Sequence, residues 1–392
     1  MQESNRIRNS TKPQRMRKKK GKKKGFHLGS KLGLSLNILV VLTLLLSYLA
    51  PYAAPKAFWP LAFLGIAYPL LLGLNILFIG YWTIKKSLYA LLSLSAILVG
   101  CNPLLKHIGF HSKPSEEYIK NPDSSTVRIL SYNVHLFRQY DWDTEPKMKD
   151  EITALIQSVS PDIVCMQEFY TRKKGRYNIR QSLSSTLKLP YSYFYPVIEN
   201  EYEAYGLLIL SRFPIKNAGI IPTYNKKRTL NHVIYADIFN KKQAFRVYNV
   251  HLQSIGFEPQ DYAFVKAVQQ RNFEQDNMAS TKRIGSRLKA AFLERGEQAR
   301  QLKEEIDRCR KPVIITGDFN DTPLSYAVNT VANHLNNSFR EKGRGWGITY
   351  NGDFPNFQID YILSSKNFKV KAYQILNKKI SDHYAIWSDL SL

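Results

Sequence analysis

Hydrophobic and polar positions divide the chain into three parts. The first 31 residues are polar and include "RMRKKKGKKKG". Charge-free stretches follow: 24 residues between Lys31 and Lys56, 28 between Lys56 and Lys85, and 19 between Lys86 and Lys106. A membrane span takes about 20 predominantly apolar residues, so the pattern predicts three transmembrane helices within residues 32–106. A cleavable leader fits less well, because its apolar core runs to only about 7–15 residues. Residues 107–126, with Pro114 and Pro122, are polar and read as a linker. From residue 127 to 392, short β-prone runs alternate with amphipathic stretches, which predicts an α/β domain.

Charge adds a direction to this layout. The net charge is +25, and residues 1–114 hold 17 Lys and Arg against Glu3 alone. A tail of this kind cannot build a core. Its simplest role is topological, with nucleic-acid binding as the sharper alternative. By the positive-inside rule the tail stays in the cytoplasm, and so does the "TIKKS" loop with Lys85 and Lys86. Three crossings then place everything after about residue 107 on the outer face, periplasmic or extracellular. "LVGC", ending at Cys101, looks like a lipidation box but lies far from the N-terminus. Cys101, Cys165 and Cys309 form no CxxC pair, so no zinc site and no disulfide scaffold are expected. Cys165 and Cys309 are expected as small core residues, a disulfide between them being the alternative.

In the third part, apolar runs repeatedly end in groups that a core does not need. "VRILSYNVHLF" ends in Asn133 and His135, "DIVCMQEFY" in Gln167 and Glu168, and "FRVYNVHLQS" in Asn249 and His251. "PVIITGDFND" delivers Asp318 and Asn320, "FQIDYILSS" carries Asp360 inside an alternating strand, and "SDHYAIWSDL" opens with Asp382 and His383. Helical periodicity is strongest in "EPKMKDEITALIQSVSP" and "GSRLKAAFLERGEQARQLKEEIDRC". The repeated "NVHL" hints at a duplication that nothing else supports. Each polar group also has an ordinary reading. Asn133 suits a turn, Asp321 suits a cap on the helix implied by "TPLSYAVNTVANHL", and His135 suits a structural position. Six such strand ends together are not explained one at a time.

Oxygen donors such as Glu168, Asp382 and Asn133 suit a hard divalent cation, which needs only one or two carboxylates and keeps several waters. The absence of HExxH or Cys-rich spacing turns the expectation away from zinc. A histidine steered by a carboxylate works as a general base. An amide and a second histidine stabilise charge developing on an oxygen. Together they describe metal-assisted hydrolysis of a phosphate ester.

The ordered set "SYNVH", "MQEFY", "YGLLILSRFPI", "NVHLQS", "TGDFND", "QIDYIL" and "SDHYAI" resembles the endonuclease/exonuclease/phosphatase superfamily of DNase I-like fold, over residues 127 to 392. The resemblance implies a four-layered sandwich of two central β-sheets flanked by helices. It implies that Glu168 is the principal ligand of Mg2+, or of Mn2+, with Asn133 and Asp382 near the metal. It implies that His383 polarises the attacking water, that Asp360 orients His383, and that His251, Asp318 and Asn320 position or protonate the phosphate. His135 departs from relatives that act on abasic DNA, which often carry Asp there; this weakens a DNA-repair reading.

Fold does not settle substrate. A membrane-anchored phosphodiesterase or phosphatase acting on a lipid headgroup or other phosphoester is the first expectation. A nuclease on external DNA or RNA is the second, and a catalytically silent binding protein the third. "TRKKGRYNIRQ", with Arg172, Lys173, Lys174, Arg176 and Arg180, is a candidate phosphate clamp. Residues 255–283, with Phe257, Tyr262 and Phe264, are a candidate substrate-facing or membrane-facing insertion.

Overall fold

The computed structural model describes residues 28–123, 125–138, 145–175, 177–222, 231–240, 243–270, 277–352 and 356–392. The basic tail up to residue 27, and Arg176, lie outside these residues.

The β-prone runs pair into two six-stranded sheets among the described residues. The first sheet holds, in spatial order, Lys369–Leu376, Ala385–Ser391, Thr126–Asn133, Ile163–Arg172, Glu203–Ser211 and Tyr191–Glu199. The second holds Asn336–Asn337, Asp360–Ser364, Val313–Asp318, Gln243–His251, Val233–Asn240 and Ile215–Ile221. Both are mixed. Thr126–Asn133 runs parallel to Ile163–Arg172, and Gln243–His251 runs parallel to Val313–Asp318, while the other pairs are antiparallel.

Apolar alternation decides the layering. Ile129, Ile163, Cys165 and Ile209 of the first sheet meet Ile234, Val247, Ile314 and Ile362 of the second in one buried core. The far face of the first sheet is covered by helices Glu145–Gln157 and Ile179–Thr186, through Ile152, Ile156 and Leu183. The far face of the second is covered by Asn277–Arg308 and Tyr326–Val331, through Ala299, Leu302 and Val328. The result is an α/β fold with two mixed sheets flanked by helices. Gln167 and Asn249, read in the sequence as strand-end polar groups, stitch the sheets together. Gln167 Nε2 donates to Asn249 Oδ1 at 2.7 Å, and Asn249 Nδ2 donates to the carbonyls of Met166 and Leu208 at 2.9 and 3.0 Å.

Gly317, next to Asp318, is dictated by a close backbone approach. Its φ is +139°, and a Cβ there would stand 2.0 Å from the Val250 carbonyl oxygen. Gly317→Ala is expected to cost about 3 kcal/mol, seen as a lower thermal midpoint of the detergent-solubilised chain. An unchanged midpoint would remove this account of the turn.

The apolar region differs from three straight spans. Among the described residues, one helix, Leu28–Ser47, is long and apolar enough to cross a membrane alone. The other two stretches are bent pairs: Pro60–Ile66 with Tyr68–Ile84 at 63°, and Ala90–Val99 with Cys101–His107 at 70°. Prolines start the pieces, with Pro60 and Pro69 at helix N-termini, where their missing N–H costs nothing. Gly100 marks the second break, where a Cβ would fall 2.1 Å from the Tyr48 hydroxyl. A charge-free count measures length and says nothing of direction. Residues of the linker add a third, two-stranded sheet, Ile108–Phe110 against Arg344–Trp346. All three cysteines are free, so Cys165 and Cys309 are not paired, and only Cys165 is fully buried.

Candidate active site

The register brings the polar groups to one end of the sandwich. His251, Asp318 and Asp360 sit side by side at the ends of three adjacent strands of the second sheet. Asp360 opens its strand, so it stands at the end of a strand and not inside one. From the first sheet come Asn133, last residue of its strand, and Glu168. The Glu168 strand does not stop there but runs on to Arg172, and its register shifts between Met166 and Phe169. This bulge gives Glu168 a φ of +49° and turns its side chain out of the alternation.

The side chains converge. Asn133 Nδ2 donates to Asp318 Oδ2 at 3.1 Å and to Glu168 Oε1 at 3.4 Å. His251 Nε2 lies 3.7 Å from both Glu168 Oε1 and Asp318 Oδ2. His383 Nδ1 is 3.0 Å from Asp360 Oδ2, and its Nε2 is 3.8 Å from Asp318 Oδ2. Ser381 donates from Oγ to the Asn133 carbonyl at 2.9 Å and to Asp382 Oδ1 at 3.1 Å, which ties the Asp382–His383 turn to the first sheet. Asp318 accepts from the Asn320 N–H at 2.7 Å, and Asn320 is held in a left-handed conformation with φ +53°.

His135, expected from the sequence to be structural, stands inside the site. A short helical turn with φ +44° at His135 brings its Nδ1 to 3.3 Å from Asp382 Oδ2 and 3.6 Å from Glu168 Oε2. Asp321, expected as a helix cap, is a buried ion-pair partner instead. Arg295 Nε donates to Asp321 Oδ2 at 2.9 Å, while Ser325 caps Tyr326–Val331 by accepting from the Val328 N–H. Arg295 and Asp321 are 1% and 5% exposed. Arg295→Leu therefore leaves a buried carboxylate uncompensated, and a loss of about 3–5 kcal/mol is expected. A thermal midpoint within error of the parent would show that the pair is not what holds this loop. Thr349 and Tyr350, which carry no motif in the sequence, also belong to the site. Thr349 Oγ1 accepts from the Asp360 N–H at 3.0 Å, and the Tyr350 ring meets His383 edge-on at 5.4 Å.

Of these groups His135, Glu168, Asp318, Asn320, Asp382 and His383 line a cavity of about 260 Å3, which also takes in Ser254, Phe257, Tyr262, Arg295 and Ile66; Asn133, His251 and Asp360 stand behind them. The described basic residues of the 171–181 stretch line other grooves: Arg172, Lys173 and Arg180 in one, Lys173 and Lys174 in another. The 255–283 segment forms helix Pro259–Gln269 and the start of Asn277–Arg308, and contributes Phe257 and Tyr262 to the cavity wall.

Electrostatics favour a cation. Glu168, Asp318, Asp360 and Asp382 face three imidazoles. Burial is the largest effect on Asp318 and pushes its carboxyl up; His383 pulls against that shift, Asp360 adds to it and His251 opposes it. Burial by itself disfavours a charged His383 ring, but Asp360, then Asp318, outweigh it and hold the ring well above its usual range. Glu168 and Asp382 keep 22% and 24% of their side chains exposed, so they remain open to a hydrated ion, whereas Asp318 and Asp360 are 1% and 2% exposed. Asp318, Asp360 and His383 have ligand atoms within 4.8 Å of one another, a second place where an ion would fit. A donor set rich in carboxylate oxygen matches a hard divalent cation.

Residues 130–383 match the Endonuclease/Exonuclease/phosphatase family, and the chain belongs to that family, whose members act on phosphoesters. Residues 30–107 match a domain of unknown function, DUF8431. No curated protein sequence matches the chain. Similar solved structures include an endonuclease/exonuclease/phosphatase from Beutenbergia cavernae (18% identity, 68% of this chain and 72% of that one, TM-score 0.48). A family protein from Bacteroides thetaiotaomicron gives 18% identity over 68% of this chain and 97% of that one, with a TM-score of 0.47. A mannosyl-6-phosphatase from the same species gives 17% identity over 68% and 100%, with a TM-score of 0.46.

Proposed function

We propose that the chain is a membrane-anchored, divalent-metal-dependent phosphoester hydrolase whose catalytic domain, residues 127–392, faces the outer side. The observation that carries this reading is the meeting of Asn133, Glu168, His251, Asp318 and the Asp360–His383 pair, beside a cavity lined by Glu168, Asp318, Asn320, Asp382 and His383.

Glu168 and Asp382, with Asn133 beside them, would hold the ion, Mg2+ or Mn2+. When bound it offsets the carboxylate charge and polarises a phosphoryl oxygen. Asp360 orients His383 and, with Asp318, raises its affinity for a proton, so that Nε2 takes the proton of the attacking water when the ring is in its neutral form. Asn133 orients Glu168 and Asp318 by donating to both. His251 and Asn320 are placed to donate to phosphoryl oxygens as charge develops, and Asp318, its carboxyl pushed up to about 6 chiefly by burial, is placed beside His251 to share in delivering the proton that the leaving oxygen needs.

Anchoring is supported by the apolar helix Leu28–Ser47, whose 20 residues rise about 30 Å, close to the hydrocarbon thickness of a bilayer. Orientation rests on the basic tail and on Lys85 and Lys86 at the end of Tyr68–Ile84 away from the catalytic domain. The test is turnover of bis(4-nitrophenyl) phosphate by the detergent-solubilised full chain. The expected result is release of nitrophenol that stops with a chelator and returns with Mg2+ or Mn2+. A folded chain that releases nothing under any of these conditions would count for the binding-protein reading instead.

A further inference from the structure

Besides the catalytic groups, and beside Ser254, Thr322 and Arg295, the cavity has apolar lining. Ile66, Ile255, Phe257 and Tyr262 form it. Ile66 lies outside the region that matches the hydrolase family. It is the last residue of Pro60–Ile66, at the 63° corner into Tyr68–Ile84. That corner is fastened to the catalytic domain. Leu324, in the loop that follows Asp318, is fully buried among Leu44, Tyr68, Leu71, Leu72 and Ala96 of the apolar helices. Phe63 meets Phe292 edge-on with ring centroids 5.2 Å apart, and Lys289 Nζ lies 4.6 Å from the Trp59 ring. A Cβ on Gly65 would stand 3.3 Å from the Leu324 carbonyl. The apolar helices are therefore part of the wall of the cavity and not a separate tether.

The corner also has a defined depth. Tyr68–Ile84 has 17 residues and rises about 25 Å from this corner to Lys85 and Lys86. The hydrocarbon layer is about 30 Å thick, so on the anchored reading, with those lysines at one bilayer surface, the helix would carry the cavity towards the other. Tyr52, Phe58 and Trp59 are exposed on the connection between the first two apolar stretches. Aromatic side chains favour that headgroup layer.

We infer that the substrate is a membrane lipid. Its phosphoester reaches the Glu168–His383 end of the cavity, while its apolar part stays against Ile66 and Phe257 and in the bilayer. This inference rests on the hydrolase reading above. In the reaction a water oxygen bonds to phosphorus, the bond from phosphorus to one alcohol oxygen breaks, and that oxygen leaves with a proton. The products are one phosphate-bearing molecule and one alcohol. A water-soluble headgroup offers the same phosphate to the polar end but gives the apolar wall nothing to bury, and burial of apolar surface is what separates the two.

The experiment uses the full chain reconstituted in vesicles. Phosphatidylglycerol, phosphatidylethanolamine and phosphatidic acid are each compared with glycerophosphoglycerol, glycerophosphoethanolamine or glycerol 3-phosphate. Bis(4-nitrophenyl) phosphate serves as a soluble reference and a single-stranded oligonucleotide as a competing class. At least one lipid is expected to turn over about 10-fold or more faster than its soluble counterpart. Ile66→Asp and Phe257→Ala are each expected to lower that ratio about 10-fold. A thermal midpoint close to the parent's reports that each variant is folded, and Phe257→Ala carries the test alone if Ile66→Asp is not. Equal rates for lipid and counterpart, a faster rate on the oligonucleotide, or a ratio that neither variant changes would overturn the inference. Failure of the unaltered chain to turn over the reference ester would overturn the hydrolase reading itself.

Discussion

His383→Ala is expected to lower kcat for a phosphodiester about 1,000-fold, with little change in binding of the ion at Glu168. The ring is 6% exposed, its Nδ1 is tied to Asp360 at 3.0 Å, and its backbone N–H donates to Ser381 Oγ at 3.3 Å. A side chain fixed this firmly presents Nε2 to the cavity in one orientation. Losing a positioned proton acceptor typically costs about 100- to 10,000-fold. The loss should fall on kcat, because the proton moves in the transition state and not on binding. Asp360→Asn tests the same pair through its partner. It keeps the shape but no longer enforces the tautomer, so a fall of similar size is expected, again in kcat. A fall confined to KM in either variant would mean that the pair binds substrate and does not act on water.

Glu168→Gln is expected to abolish metal-dependent turnover, by about 1,000-fold or more, through loss of the ion. Gln has the same length and keeps an oxygen, but it loses the charge that a divalent cation demands. A 1,000-fold loss corresponds to about 4 kcal/mol of transition-state stabilisation, within what one metal ion supplies to a phosphoryl group. The left-handed backbone at Glu168 supports the assignment, since strain of this kind persists where the surrounding structure holds a side chain to a task. The two variants differ in a measurable way. Glu168→Gln should be partly rescued by raised Mn2+ and His383→Ala should not.

Much of this site was legible along the chain, and what was not has physical reasons. A strand delivers its last side chain to a sheet edge, so "GDFND", "NVHLQS" and "SDHYAI" point to one place once the two sheets pack. The alternation of β-prone runs with amphipathic stretches pointed to an α/β domain and the resemblance to a sandwich, and Ile129, Ile163 and Val247 form the core that the two sheets share. Asp321 was not legible. Its partner Arg295 lies on another element, and a local helix cap was the nearest explanation that sequence proximity offers. His135 was hidden by backbone conformation, because the left-handed turn from His135 to Phe137 aims its ring back at Glu168 and Asp382. Gln167 and Asn249 stood at strand ends like the site groups, yet one bond joins them and Asn249 donates to the Met166 and Leu208 carbonyls between the sheets, a pairing that no one-dimensional pattern shows. The apolar stretches revealed their length but not their corners, and it is one of those corners that puts Ile66 beside the catalytic groups.

The most direct test of the central claim is a side-by-side measurement of Mn2+ binding, by electron paramagnetic resonance, and of phosphodiester turnover. It compares the full chain, Glu168→Gln and His383→Ala. The expected result is a bound ion and turnover in the parent, neither in Glu168→Gln, and a bound ion without turnover in His383→Ala. A parent chain that is folded, binds no Mn2+ and hydrolyses nothing would contradict the account, as would a Glu168→Gln variant that keeps both.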